Sequence, residues 1–322
     1  MKRSTFSVKR IAVLAAILAA LLAPLVITNP YMLHVGIVIF IWSILTLGVR
    51  IILLAGHLNA AQASFMGMGA YGSALLATKL NWSFWLCLPA AGLMTAILAF
   101  IIGIPTLRIK GAYFVMITFA ITEVFRHIWM MWKSLFGGPQ GLFGIPAPDA
   151  IEIAGLTINF ASKTSFYYLA FLLLLLSAVI IYRIDMSEMG RILKAIAQAD
   201  DLAESLGINI MRYKIWAFVI GSFLAGIAGS FWAHYFTYTS PWDFTWMNSV
   251  YMLMYAVIGG TASLFGPIIG CFVLIGVDEL FRPLQQYLPI LIGAILIVIL
   301  MYVPGGLVEI PARIRSIKEK HK

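Results

Sequence analysis

Long apolar runs, each broken by a short polar stretch, set the pattern of this chain from end to end. A helix needs about twenty mostly apolar residues to cross a bilayer. By that measure residues 11–28, 32–54, 61–79, 83–104, 112–132, 165–182, 214–233, 248–264, 267–281 and 287–303 are candidate spans, about ten in all. They predict an all-α membrane protein with a single transmembrane domain over residues 1–322. The first run follows the basic stretch MKRSTFSVKR and so resembles a secretory signal. It reaches Thr28 without a clear small-x-small cleavage site, which favours a retained first helix.

The segment from Arg183 to Lys214 departs from this pattern, with five basic and five acidic residues between two apolar runs. A segment so polar belongs in water. Within it Ile192, Ile196, Ala199, Ala203 and Leu206 recur at steps of three and four, one apolar stripe on a helix. Asp201 and Glu204 have the spacing of a capping box, with Asp in place of Ser or Thr, so a short helix is expected to restart near Asp200. Gly207 suits the left-handed conformation that closes a helix. The expectation is a short amphipathic helix outside the membrane. A helix lying on lipid headgroups is the alternative, and its mixed charge counts against that, since such helices are usually rich in Lys and Arg.

Composition narrows the class. Hydrophobic residues make up 62% and charged residues 11%, against roughly 45–50% and about 25% in soluble domains, and mean hydropathy is +0.96. The net charge of +9 lies at the ends and in short loops instead of one patch, so no nucleic-acid partner is expected. With the N-terminus inside, one side receives seventeen Lys and Arg, and the other only Lys79, Lys133, Lys163 and Arg282. That bias predicts cytoplasmic N- and C-termini, a cytoplasmic 183–214 segment and an outer loop over 133–164. Cys87 and Cys271 lie in apolar runs and imply no disulfide framework.

Ten spans divide into two sets of five. Because five is odd, the sets begin on opposite sides, the 5+5 inverted repeat common in transporters. The third span of the first set holds Gly67, Gly69 and Gly72, and the third of the second holds Gly259 and Gly260. Glycine-interrupted spans at matching positions point to a translocation path, although glycine is also simply frequent in membrane helices. Gly67 to Gly72 spells GxGxxG, but inside an apolar span its glycines serve close helix approach, as in small-xxx-small packing of Gly69 with Ser73.

Glu123, Arg126 and His127 share one helical face within a span. A charge at mid-span costs about 2.5–3.5 kcal/mol to insert. They form either a polar point or proton relay on a path, or a neutralised structural pair near the outer interface. Arg50, near a span end, can snorkel. The loop 133–164 contains Phe136-Gly137-Gly138-Pro139-Gln140-Gly141-Leu142, a density of Gly and Pro that builds rigid turns. Its length points to docking or plugging the path, with an ordinary re-entrant turn as the alternative.

The chain has no GxxxxGK[ST], HExxH, paired-Cys or GxSxG pattern. No catalytic residues, metal site or cofactor of its own are therefore expected, and energy must come from elsewhere. Asp201-Leu202-Ala203-Glu204-Ser205-Leu206-Gly207 resembles the E-A-A-x-x-x-G loop of ABC-transporter permeases, with Asp for Glu and Leu for the first Ala. Gly56 to Tyr71, Leu107 to Phe114 and on to Glu123, Gly190-Arg191 through Asn209, Tyr213 to Phe218, Ala225 to Gly229 and Gly259-Gly260 through Gly270 resemble the branched-chain amino-acid permeases of the LivM type.

That resemblance implies a multi-pass importer subunit in the bacterial inner membrane. It also implies a second, LivH-like permease, two cytoplasmic ATP-binding subunits that use the ATP, and a periplasmic substrate-binding protein that delivers substrate. By the same resemblance, Gly190, Arg191, Asp201, Ala203, Glu204 and Gly207 are the candidates for coupling to the ATPase. Candidates for the path are Gln62, Gly67, Gly69, Glu123, Gly259 and Gly260. Members of the family also import other amino acids, amides or urea, so the substrate stays open. An ion-coupled secondary transporter with inverted repeats is the rival account, and a membrane anchor for a partner is another.

Overall fold

A computed structural model describes residue 15 and residues 17–27, 29–153, 156–160, 162–303 and 305–309. The basic N-terminal stretch and the C-terminal tail lie outside the described residues. In chain order the helices are α1 (Ile17–Val26), α2 (Pro30–Leu53), α3 (Gln62–Leu80), α4 (Phe84–Thr106), α5 (Ala112–Met131) and α6 (Lys133–Phe136). They continue as α7 (Lys163–Met186), α8 (Glu188–Gln198), α9 (Asp200–Ser205), α10 (Ile210–Phe236), α11 (Trp246–Gly259), α12 (Phe265–Leu280) and α13 (Leu288–Tyr302). The described residues are predominantly helical. Among the described helices, α2, α4, α5, α7 and α10 are long and apolar enough to cross a membrane.

Within the other expected spans the described residues form α1, α3, α11, α12 and α13, which are shorter or more polar. The 14-residue α11 and 16-residue α12 are separated at Gly260, whose φ of +103° turns the chain. A Cβ at Gly260 would meet the Gly305 carbonyl, so the turn closes tightly against the residues after α13.

Lipid tails are as apolar as Leu, so helices associate there through close contact and hydrogen bonds. The seams of this bundle show both. Gly69 and Ser73, one turn apart on α3, face Gly226 and Ser230 on α10. A Cβ on Gly229 would collide with the Met66 carbonyl. The small residues expected to pack thus do so, and their partner helix is α10. Gly48 and Gly221 bring α2 against α10, and the buried Gln62 side chain spans that seam by donating to the carbonyls of Leu45 at 3.3 Å and Gly221 at 3.0 Å. Cys87 and Cys271 are free and buried, as small apolar residues would be.

The long loop after α5 is anchored at several points. Gly137, Gly138 and Gly141 all have positive φ around a 3₁₀ turn at Gly138–Gln140. The short strand β1 (Leu142–Phe143) then pairs antiparallel with a strand directly after α10, while β2 (Ile151–Ile153) and β3 (Leu156–Ile158) form a hairpin. That post-α10 strand is β4 (Tyr238–Thr239), with Leu142 opposite Thr239. A chain of polar groups holds the loop further on: Ser230 and Ser73 hydroxyls lie 2.8 Å apart, Ser73 is 2.8 Å from His234 Nε2, and His234 Nδ1 is 2.6 Å from the Pro146 carbonyl.

Candidate functional site

The polar segment folds as two short helices at the α7 end of the bundle. Ser187 closes α7, its hydroxyl donating to the Ile184 carbonyl at 2.7 Å, and α8 then turns back so sharply that Gly190 touches the backbone of Ile184 and Asp185. Leu193 and Ile196 bury the inner face of α8. The expected single stripe from Ile192 to Leu206 does not form, because the helix breaks at Ala199, whose backbone is extended. Helix α9 restarts at Asp200, as the sequence predicts, but Ala199 occupies the cap position and no side chain caps the helix. Gly207 ends the segment with φ +81°. Asn209 then caps α10, its Oδ1 accepting from the Arg212 amide at 3.1 Å.

Of the six coupling candidates, Arg191, Asp201, Glu204 and Gly207 are exposed, whereas Gly190 and Ala203 are packed inward. Leu202 and Leu206, 63% and 74% exposed, stand beside them and give this surface an apolar element. Sequence reasoning passed over Leu202. An exposed leucine inside a water-facing helix is the signal that could have found it.

Ion pairs key this segment to the bundle. Lys214 of α10, almost wholly buried, holds Asp200 at 2.7 Å, and Lys110 from the α4–α5 connection reaches Asp200 at 3.5 Å and Asp201 at 3.4 Å. The carboxylates, Asp201 first, hold the exposed Lys110 ammonium above its ordinary pKa. At the end of α7, Asp185 pairs at 2.8 Å with Arg50, which is completely buried. Arg50 Nε also donates at 2.8 Å to the carbonyl of Thr261, in the turn between α11 and α12. Arg50 therefore does not snorkel. It joins α2, α7 and the α11–α12 turn through one guanidinium.

His57 completes this end. It is buried in the α2–α3 connection with its ring 4.6 Å from Phe114 and no hydrogen-bond partner at Nε2. Burial first, and then the Lys214 charge, push its pKa down from 6.5 to about 4, against an opposing pull from Asp200.

The path candidates divide. Gln62, Gly67, Gly69, Gly259 and Gly260 are buried in contacts between helices or with loops. Glu123 lies instead on the outward face of α5, in a shallow open groove with Phe119, Val124, His127, Ile128 and Met131. Arg126 binds it with both Nε (2.8 Å) and Nη2 (2.6 Å) on the same oxygen, Oε2. Trp242 and Met130 fix the guanidinium from other sides, the ring centroid at 5.5 Å and the sulfur at 3.6 Å.

Apolar helices packed through glycine seams, with one polar segment keyed onto them by ion pairs, define a multi-helix membrane protein. Comparison with known proteins identifies which kind. A family described as "Branched-chain amino acid transport system / permease component" matches residues 31–303. The high-affinity branched-chain amino acid transport system permease protein LivM of Escherichia coli K12 is 32% identical over 314 residues, 90% of this chain and 74% of the relative. LivM of Salmonella typhimurium LT2 is 31% identical, with 83% and 67% covered. The corresponding LivH protein of Escherichia coli K12 is 31% identical over 128 residues, 39% of this chain and 41% of the relative. No solved structure matches. The chain belongs to the branched-chain amino-acid ABC permease family.

Proposed function

We propose that this chain is the membrane permease of an ATP-driven importer for branched-chain or related amino acids in the bacterial inner membrane. The observation that carries the proposal is the polar segment: Arg191, Asp201, Leu202 and Glu204 face outward, while Asp200 and the neighbouring Asp185 are tied to the spans behind them. This is the form of a surface that receives a push. Two cytoplasmic ATP-binding subunits dock on it and hydrolyse ATP, and no nucleotide is held by this chain. Closure of those subunits moves α8 and α9. The Asp185–Arg50–Thr261 link carries that movement to the α11–α12 turn, and Asp200–Lys214 carries it to α10.

In this proposal the chain crosses ten times with both termini in the cytoplasm, in two inverted sets of five. Mirrored packing supports the repeat: α10 lies on α3 and α4 as α2 lies on α11 and α12, and α3 packs on α4 as α11 packs on α12. A second, LivH-like permease faces α5 across the path, and a periplasmic binding protein delivers substrate at the outer loop. Similarity to both LivM and LivH proteins supports a two-permease system.

Replacing Glu204 by Ala together with Gly207→Pro is expected to leave the chain in the membrane and abolish co-purification of the ATPase. Normal ATPase recovery would sink the coupling role. ATP-dependent uptake by reconstituted vesicles, with and without the binding protein, tests the importer as a whole. Uptake driven by an ion gradient without ATP would favour a secondary transporter.

A further inference from the structure

We infer that Glu123 and His127 form one half of a transient site for a zwitterionic amino acid with an apolar side chain. The ligand's ammonium binds Glu123 Oε1 and its carboxylate binds an imidazole N–H of His127. This rests on the permease reading above and assigns that reading's path a specific foothold.

Four observations carry it. Glu123 lies eleven residues into the 20-residue α5, near mid-membrane when the helix spans, where an ionised group persists only against protein or water. Its partner Arg126 is committed to the other oxygen: both of its bonds end on Oε2, and no described residue bonds Oε1. One carboxylate oxygen is thus held in place while the other keeps its lone pairs for a donor in the groove. Contacts from Trp242 and Met130 on Arg126 support that arrangement.

The third observation is spacing. His127 is one helical turn beyond Glu123 and lines the same groove, so an anion acceptor and an N–H donor stand about 5–6 Å apart at their β-carbons. That separation suits charges of opposite sign on neighbouring atoms of one small molecule. The fourth is the lining itself. Phe119, Val124, Ile128 and Met131 flank the two polar groups on the same helix and offer apolar contact to an aliphatic side chain. Because all these residues sit on a single helix in an open groove, contact is one-sided. Such a site holds its ligand weakly enough to release it, as conduction through a path requires.

The test uses the complete transporter in vesicles, with both permeases, the ATPases and the binding protein, and labelled leucine as the probe. Glu123→Gln is expected to lower ATP-driven leucine uptake by about tenfold or more while the ATPase still co-purifies. The double variant Glu123→Gln with Arg126→Gln is expected to remain equally impaired. Recovery of uptake in the double variant would show that only a structural charge pair had been broken, and would overturn the site. Normal uptake by the single variant would also overturn it.

Val124→Trp fills the groove from a 57% exposed position and does not touch the Glu123–Arg126 pair, so it decides the matter if the charge variants fail to accumulate. Unchanged uptake there counts against the site, and a tenfold loss supports it. Absence of ATP-driven uptake by the unaltered transporter overturns the permease reading itself, a result distinct from all of these.

Discussion

Helices α4 and α5 both turn one side away from the bundle, and the two outward faces differ in kind. On α4 the exposed residues include Leu86, Leu93, Ile97, Phe100 and Ile101, and the helix contains no charged residue. On α5 the exposed stripe runs through Tyr113, Met116, Val124 and His127, with the half-buried Glu123 beside it. The first face asks for lipid. The second places ionisable groups where lipid would penalise them, so exposure in an isolated chain means different things on neighbouring helices. What separates them is whether each polar group is already satisfied. Gln62, deep in the bundle, has its amide bonded to backbone carbonyls, whereas no described residue bonds Glu123 Oε1.

Moving or removing charge breaks the comparison in graded steps. The largest effect is expected at full enclosure. Arg50→Ala leaves the largely enclosed Asp185 without its partner and removes the bond to Thr261, a loss of about 3 kcal/mol. Thermal unfolding of the purified complex measures it, and an unchanged melting temperature would contradict the clamp. Next comes Ile97→Asp, which puts a carboxylate at the middle of the α4 face with no cation on that helix to meet it. The expected penalty is about 3 kcal/mol, seen as a sharp fall in membrane abundance. Wild-type abundance would mean that α4 faces water or protein.

The smallest effect concerns His57, outside the spans. Its folded pKa of about 4 lies below the usual 6.5, so between those values the unfolded chain binds a proton that the folded chain refuses. Stability is complete above about pH 6.5 and falls as pH drops towards 4. His57→Phe keeps a ring against Phe114 and removes the titration. The variant's melting temperature is expected to fall less between pH 7 and pH 5 than the wild type's. Equal falls would refute this.

Much of the fold was legible because span length and hydropathy are local properties. The five longest apolar helices lie where the runs place them, and Gly207 stops α9 as its residue type predicts. What was not legible depends on distant partners. Arg50 looks like a snorkelling residue until Asp185 and Thr261, remote in sequence, meet it in the fold. The stripe from Ile192 to Leu206 fails at Ala199, where the backbone is extended and the next residue, Asp200, pairs with Lys214 and Lys110; periodicity carries no information about such partners. Glu123 and Arg126 were legible as a pair at helical spacing. That both bonds would crowd onto one oxygen required side-chain geometry.

The polar chain beneath the outer loop has a further consequence. A carbonyl can only accept, so His234 must carry its proton on Nδ1, facing Pro146. With a neutral ring, Nε2 must then accept from Ser73, and Ser73 in turn must accept from Ser230. The hydrogen bonds all run in one sense, from α10 to α3, back to α10 and out to the loop. Such a chain has a polarity, like a row of arrows, and each member's orientation is dictated by the next. The loop's seat at Pro146 is therefore addressed from inside the bundle, by a serine hydroxyl on α3 that acts through His234.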